Sequence, residues 1–156
     1  MRPSKVIYNG SKIMYMEVAK GLHIRVLDSP NFLPMKLAAL PKAFGLTELC
    51  KGYFPHFFNK RENQLYVGPY PGSEAYGVNY MSASDRASFL EWHEVKTSSG
   101  AVFDFRKEME MYCRSDVDIL RRACLQFRKL MLEAAEVDPF QYVTIASVCM
   151  GIYKTR

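Results

Sequence analysis

The sequence predicts an α/β fold of the α+β kind, leaning helical: a β-hairpin followed by a long loop and several helices. Three observations carry this expectation. Residues 12–18, KIMYMEV, and 22–28, LHIRVLD, are apolar and β-branched runs on either side of a Gly-containing turn, the pattern of a hairpin. Residues 51–80 are rich in Pro, Gly, Asn and aromatics and have no period. Beyond them, apolar residues recur at helical spacing almost to the end of the chain.

Each element has its own local cause. Two strands alone bury too little, so the hairpin is expected to belong to a larger sheet. In DSPNFLPMKLAALPKAFGL, residues 28–46, the spacing of Leu33, Leu37, Leu40 and Phe44 predicts two short helical pieces. Pro34 suits a first turn, Pro41 forces a break or restart, and Gly45 supplies a stop. The 51–80 stretch reads as an ordered loop, and loops of that length are often functional. Ser82 with Asp85 three residues on starts a helix of about three turns with Phe89, Leu90 and Trp92 on its apolar side, closed by the polar turn KTSSG.

Asp104 opens a long helical stretch. Met111, Cys113, Val117, Leu120, Ala123, Cys124, Phe127, Leu130 and Met131 form its expected apolar stripe, and Ser115 with Asp118 offers a second capping box where the helix would bend or restart. A last helix is expected from Asp138 and Pro139 through VTIASVCMGIYK.

With 156 residues the chain is one ordinary domain or a piece of one. Hydrophobic residues at 49% against 24% charged exclude a disordered chain. The net charge of +5 mildly favours a polyanionic partner. Cys50, Cys113, Cys124 and Cys149 are scattered without a C-x-x-C pair, which suggests neither zinc nor disulfides and fits a reducing compartment. With no secretory leader and no long apolar run, the chain is expected to be intracellular, in nucleus or cytoplasm.

MEMYCRSDVDILRR, residues 109–122, places Tyr112 and Asp116 one helical turn apart on one face. Such a pair can hold a divalent cation through the carboxylate and orient an attacking water through the phenol. By spacing alone, a solvated surface pair is about ten times commoner. Lys51 can meet a phosphate or only water, and Asp28 and Ser29 can project from a strand end into a cleft or cap a helix entry. His56 and His93 have no partner at metal-ligand spacing and read as packing residues. No G-x-x-x-x-G-K-[ST], G-x-G-x-x-G, H-E-x-x-H or G-x-S-x-G motif is present, so nucleotide hydrolysis of the P-loop type, zinc proteolysis and α/β-hydrolase chemistry have no support.

The succession LDSPNFLPMKLAALPKAFGL, LTELCKGYFPHFF, ENQLYVGPYP, FLEWHE and YCRSDVDILRRAC closely resembles the protein-primed family-B DNA polymerases of viruses, linear plasmids and Polinton or Maverick transposons, from about residue 12 to 153. The resemblance implies that residues 1–136 are the back part of a ribonuclease H-like 3′–5′ exonuclease domain, and residues 137–156 the start of a helical passage toward the polymerase palm. It makes Tyr112 and Asp116 the family's third exonuclease motif, Y-x-x-x-D, with Asp116 a ligand of Mg²⁺ or Mn²⁺ and Tyr112 positioning the hydrolytic water. Lys51 corresponds to the catalytic lysine on the scissile phosphate. Asp28 and Ser29 correspond to the motif that touches the single-stranded primer end, although Pro30 stands where the family more often has Leu. His56 joins these and Lys51 among the DNA-contacting residues.

By the same resemblance, DNA is the partner, with a terminal protein in the parent family. The first two exonuclease motifs are expected upstream and the polymerase motifs downstream of this chain. A fragment of a DNA-directed DNA polymerase, inactive by itself, is therefore expected. The alternative is a noncatalytic DNA-binding or interaction module derived from a transposon polymerase, its aromatic loop offering stacking platforms for single strands.

Overall fold

The computed structural model describes residues 5–18, 24–46 and 52–155. Among these residues five strands, β1 (Lys5–Asn9), β2 (Lys12–Val18), β3 (Ile24–Leu27), β4 (Val67–Pro69) and β5 (Val102–Asp104), and four α-helices, α1 (Leu40–Ala43), α2 (Ala83–Ser98), α3 (Phe105–Ala135) and α4 (Ile145–Thr155), occur together with short 3₁₀ turns. The fold is mixed α/β. It divides into two compact units, Leu49–Ile119 and a second made of Met1–Glu48 with Leu120–Arg156. No helix among the described residues is long and apolar enough to cross a membrane.

In the unit that holds the N-terminal segment, β2 and β3 pair antiparallel as expected, with Tyr15 opposite Leu27 and Val18 opposite Ile24. The expected turn between them, with Leu22, lies outside the described residues. The larger sheet is completed by β1, giving the order β1-β2-β3. Gly10 takes a left-handed φ of 58° in the two-residue turn Gly10-Ser11, which joins the paired Asn9 and Lys12. Tyr15 is buried, and its hydroxyl donates to Glu17 at 3.0 Å.

The segment after β3 forms 3₁₀ turns at Ser29–Asn31 and Leu37–Ala39, the latter running into α1. Pro34 lies outside any helix, contrary to expectation, because Pro41 takes the first-turn position where a missing N–H costs nothing. Gly45, at φ 67°, ends the helical segment. Phe32, Leu33, Leu40 and Val148 are all buried in this unit, with Phe140 edge-on to Phe32 at 5.3 Å.

After α3 the chain turns through Glu136, a non-glycine residue at φ 55°. Arg128 clasps Asp138 at 2.7 Å, while Asp138 also accepts from the Phe140 N–H at 3.1 Å. The last α-helix does not begin at Asp138. A 3₁₀ turn, Pro139–Gln141, intervenes, and α4 starts at the Thr144–Ser147 capping box, in which each side chain accepts from the other's backbone N–H.

In the other unit, the 52–80 stretch is ordered by rings. Phe54, Tyr70, Phe103 and Phe105 form its buried centre, with Phe58, Tyr66, Trp92, Met109 and Tyr112 packed around them. Tyr76 lies 5.0 Å from Phe89 and 5.7 Å from Trp92. The stretch is not wholly without regular structure, since β4 pairs with β5 through Gly68 opposite Phe103. Three residues of V-G-P are too short to show a period.

Ser82 caps α2 by accepting from the Asp85 N–H at 3.2 Å. The helix is longer than expected, 16 residues, because Lys96 to Ser98 remain helical and Gly100 at φ 65° makes the turn. Phe89 is fully buried and Trp92 half-buried, but Leu90 faces outward. Helix α3 runs unbroken for 31 residues through Ser115 and Asp118, so no restart occurs there. Its inner positions are Phe105, Met109, Tyr112, Asp116, Ile119 and Ala123, while Met111, Val117 and Leu130 of the expected stripe are exposed.

Two measurements check this packing. Phe103→Ala removes a ring that is 1% exposed and should lower the unfolding free energy by about 3–5 kcal/mol in urea titrations. The hydrogen bond from Arg128 holds the Asp138 carboxyl below its ordinary 3.8, against the opposing effect of burial. A lowered carboxyl contributes stability that is present above the ordinary value and lost as pH falls through the folded one. Asp138→Asn should therefore destabilise most near neutrality, and its urea midpoint should converge on that of the parent as the solution is acidified below 3.8.

Candidate functional site

The face of α3 that turns inward is set at its first two turns. Asp104 accepts from the N–H groups of Arg106 and Lys107 at 3.1 and 3.2 Å, satisfying donors that a helix start leaves open. The Phe105 N–H donates to the Tyr66 carbonyl at 3.0 Å, and the Phe105 ring is buried. One turn further, Glu108 accepts from the Tyr70 hydroxyl at 3.0 Å. Burial, and then this bond, push the Tyr70 hydroxyl up to about 12. With rotation fixed in this way, every inner position downstream follows from the helical period.

Tyr112 is the next inner position after Met109. Its ring lies 5.4 Å from Phe54, tilted by 33°, and 5.5 Å from His56, nearly perpendicular at 79°. Gly52 lies against the same ring, since a Cβ built on it would stand 4.0 Å from Tyr112 Cδ2. Asp116 follows one turn later. Its Oδ1 is buried and has no hydrogen-bond partner among the described residues. The pair is therefore not on the wet face of α3, where Glu110 and Arg114 instead form an exposed ion pair at 2.7 Å.

Of the residues singled out in the sequence, Tyr112, Asp116 and His56 belong to one unit, and Tyr112 and His56 are in ring contact. His56 is exposed, not a core residue. His93 does pack, with its Nε2 2.8 Å from the Pro71 carbonyl and its ring 5.5 Å from Phe89. Lys51 lies outside the described residues. Asp28 and Ser29 belong to the other unit. There, Asp28 stands at the cap position of the Ser29–Asn31 turn but makes no side-chain cap bond, while its N–H donates to the Met14 carbonyl at 3.3 Å.

Sequence reasoning missed Glu108 and Tyr70. The available signal was that Glu108 precedes Tyr112 by four residues and so shares its side of the helix.

Chemically, Asp116 offers a hard oxygen donor of the kind Mg²⁺ and Mn²⁺ take. An orphaned buried carboxylate oxygen suits one coordination position. Among the described residues no group of three His, Cys, Asp or Glu side chains converges to hold a metal.

The family described as DNA polymerase type B, organellar and viral, matches residues 3–156. A "Probable DNA polymerase" of Podospora anserina is 32% identical over 133 residues, covering 85% of this chain and 10% of that protein. Proteins of the same description from Ascobolus immersus and Neurospora intermedia are 28% identical over 160 residues and 26% over 134, covering 97% and 83% of this chain and 13% of each relative. The chain thus spans about a tenth of the length of these relatives. No solved structure matches it. With the family's pattern running from the third residue to the last, the chain belongs to the organellar and viral type B DNA polymerases.

Proposed function

We propose that this chain is the back part of the 3′–5′ exonuclease domain of a protein-primed type B DNA polymerase, and that it serves DNA replication by binding the single-stranded primer end. In this proposal residues 1–136 belong to a ribonuclease H-like exonuclease domain and residues 137–156 lead toward the palm. Asp116 is a metal ligand, Tyr112 orients the hydrolytic water, and Lys51 meets the scissile phosphate. Asp28, Ser29 and His56 contact the primer strand, and a terminal protein is a partner of the whole polymerase.

The observation that carries the proposal is the buried Oδ1 of Asp116, without a hydrogen-bond partner among the described residues, on the inner side of α3 and one turn from Tyr112. A buried carboxylate oxygen without a partner costs about 1–3 kcal/mol, and a helix packing for stability alone has no use for it. Mg²⁺ or Mn²⁺, when bound, would stabilise the attacking and leaving oxygens at the scissile phosphate. Asp116 would hold it from one side. The Tyr112 ring, fixed by Phe54 and His56, cannot swing freely, which preorganises its phenol for a bound water. A lone carboxylate binds Mg²⁺ weakly, so the chain by itself is proposed to degrade DNA little or not at all.

A degradation assay on single-stranded DNA in Mg²⁺ or Mn²⁺ tests this with the chain and with a polypeptide extended to the length of its relatives, each with and without Asp116→Ala. The extended polypeptide should lose about 100-fold or more of its activity on substitution. Unchanged activity there would remove Asp116 from the site. Activity of the chain alone that disappears with Asp116→Ala would overturn its proposed inactivity. Thermal melting gives an independent check: Asp116→Asn, which removes the charge from a half-buried carboxyl whose Oδ1 has no partner among the described residues, should stabilise the chain by about 1 kcal/mol even as it impairs the nuclease.

A further inference from the structure

The aromatic stretch after Gly52 is divided. Tyr53, Phe54, Phe58, Tyr66, Tyr70 and Tyr76 are buried or half-buried in the ring core, whereas Phe57 is 58% and Tyr80 85% exposed. These two outer rings face each other edge-on, with centres 6.2 Å apart at 71°. Gly77, at φ 74°, lies beside both. A Cβ there would stand 3.3 Å from Phe57 Cε2 and 3.7 Å from Tyr80 Cδ2, so the pair closes over bare backbone. Arg86 braces the same turn, donating from Nε to the Val78 carbonyl at 3.1 Å and from Nη2 to the Asn79 carbonyl at 3.4 Å. Its guanidinium keeps N–H donors to spare. Lys60 and Arg61 follow Phe57 by three and four residues and are exposed.

We propose that Phe57 and Tyr80 form a base-stacking platform for single-stranded DNA, with Arg86 meeting a backbone phosphate. Two exposed rings with cations close by match what a single strand offers, a π-face on every nucleotide and a charge between nucleotides. A protein partner would favour a broader apolar patch of several hundred Å². Phe57 follows His56 directly, and His56 touches Tyr112, so the platform adjoins the Tyr112 site. The platform rests on the proposed function in taking its ligand from there, and extends it by a subsite beyond the primer-end residues.

Fluorescence anisotropy of a labelled oligothymidylate with the full chain, in EDTA and over a range of salt, tests the platform. Phe57→Ala and Tyr80→Ala should each weaken binding about tenfold and leave the salt dependence unchanged, while Tyr80→Phe should bind as the parent does. Arg86→Gln should reduce the slope of log affinity against log salt by about 0.7. Photo-cross-linking of a 5-iodouracil oligonucleotide should mark Phe57 or Tyr80 in peptide mass spectra. If the parent binds and neither alanine variant weakens binding, or the cross-link falls elsewhere, the platform is wrong and the exonuclease proposal stands. If the parent fails to bind at low salt, the primer-end function and the platform fall together.

Discussion

The orientation of α3 about its own axis is the constraint on which the site depends. A helix of 31 residues offers many faces, and a rotation of one residue, about 100°, would put Val117 where Asp116 now lies. Three contacts at the start of the helix prevent it: Asp104 on the N–H groups of Arg106 and Lys107, the Phe105 N–H on the Tyr66 carbonyl, and the Tyr70 hydroxyl on Glu108. All three reach back to β5 or to the residues that flank β4, Tyr66 before it and Tyr70 after it. The short β4–β5 ribbon, weak by itself, therefore acts as a bracket that holds the helix in register.

That bracket is in turn held by rings. A stretch with so little regular backbone pairing would ordinarily be a poor support, because few backbone bonds resist its opening. Here the missing ladder is replaced by edge-to-face aromatic contacts, each worth about 0.5–1.5 kcal/mol beyond area burial. Phe103 alone meets Phe58, Tyr66, Tyr70 and Phe105 at 5.3 to 6.4 Å. The same composition that gives the loop no period gives it a core, and Gly68 and Gly77 appear where a side chain would collide with a neighbouring ring.

Local signals were legible and long-range ones were not. The apolar run of 12–18, the Ser82 cap, Pro41 and Gly45 act through neighbours in sequence, and each corresponds to a feature of the fold. The inner side of α3 could not be read from its own residues. Met111, Val117 and Leu130 are as apolar as Ile119, and contacts from outside the helix, among them the Tyr66 carbonyl and the Tyr70 hydroxyl, decide between the alternatives. Ser115 and Asp118 carry a cap signature that propagation of an existing helix overrides, since starting a new one is the costlier step. The direction in which the Tyr112–Asp116 face points was illegible for the same reason. Spacing places two residues on one face without saying which way that face points.

Two buried polar atoms lack a hydrogen-bond partner among the described residues, Tyr76 Oη and Asp116 Oδ1, and their circumstances differ. The Tyr76 ring packs on Phe89, Trp92 and His93, and burial drives its hydroxyl far above the ordinary value, so it stays neutral. A neutral hydroxyl without a partner is offset by such a ring, which buries on the order of 200 Å². Asp116 has a short side chain with little apolar surface to bury, and an apolar residue would suit the run from Met109 to Ile119 better. Ring packing explains Tyr76 without a partner, whereas no contact among the described residues offsets the buried Asp116 Oδ1.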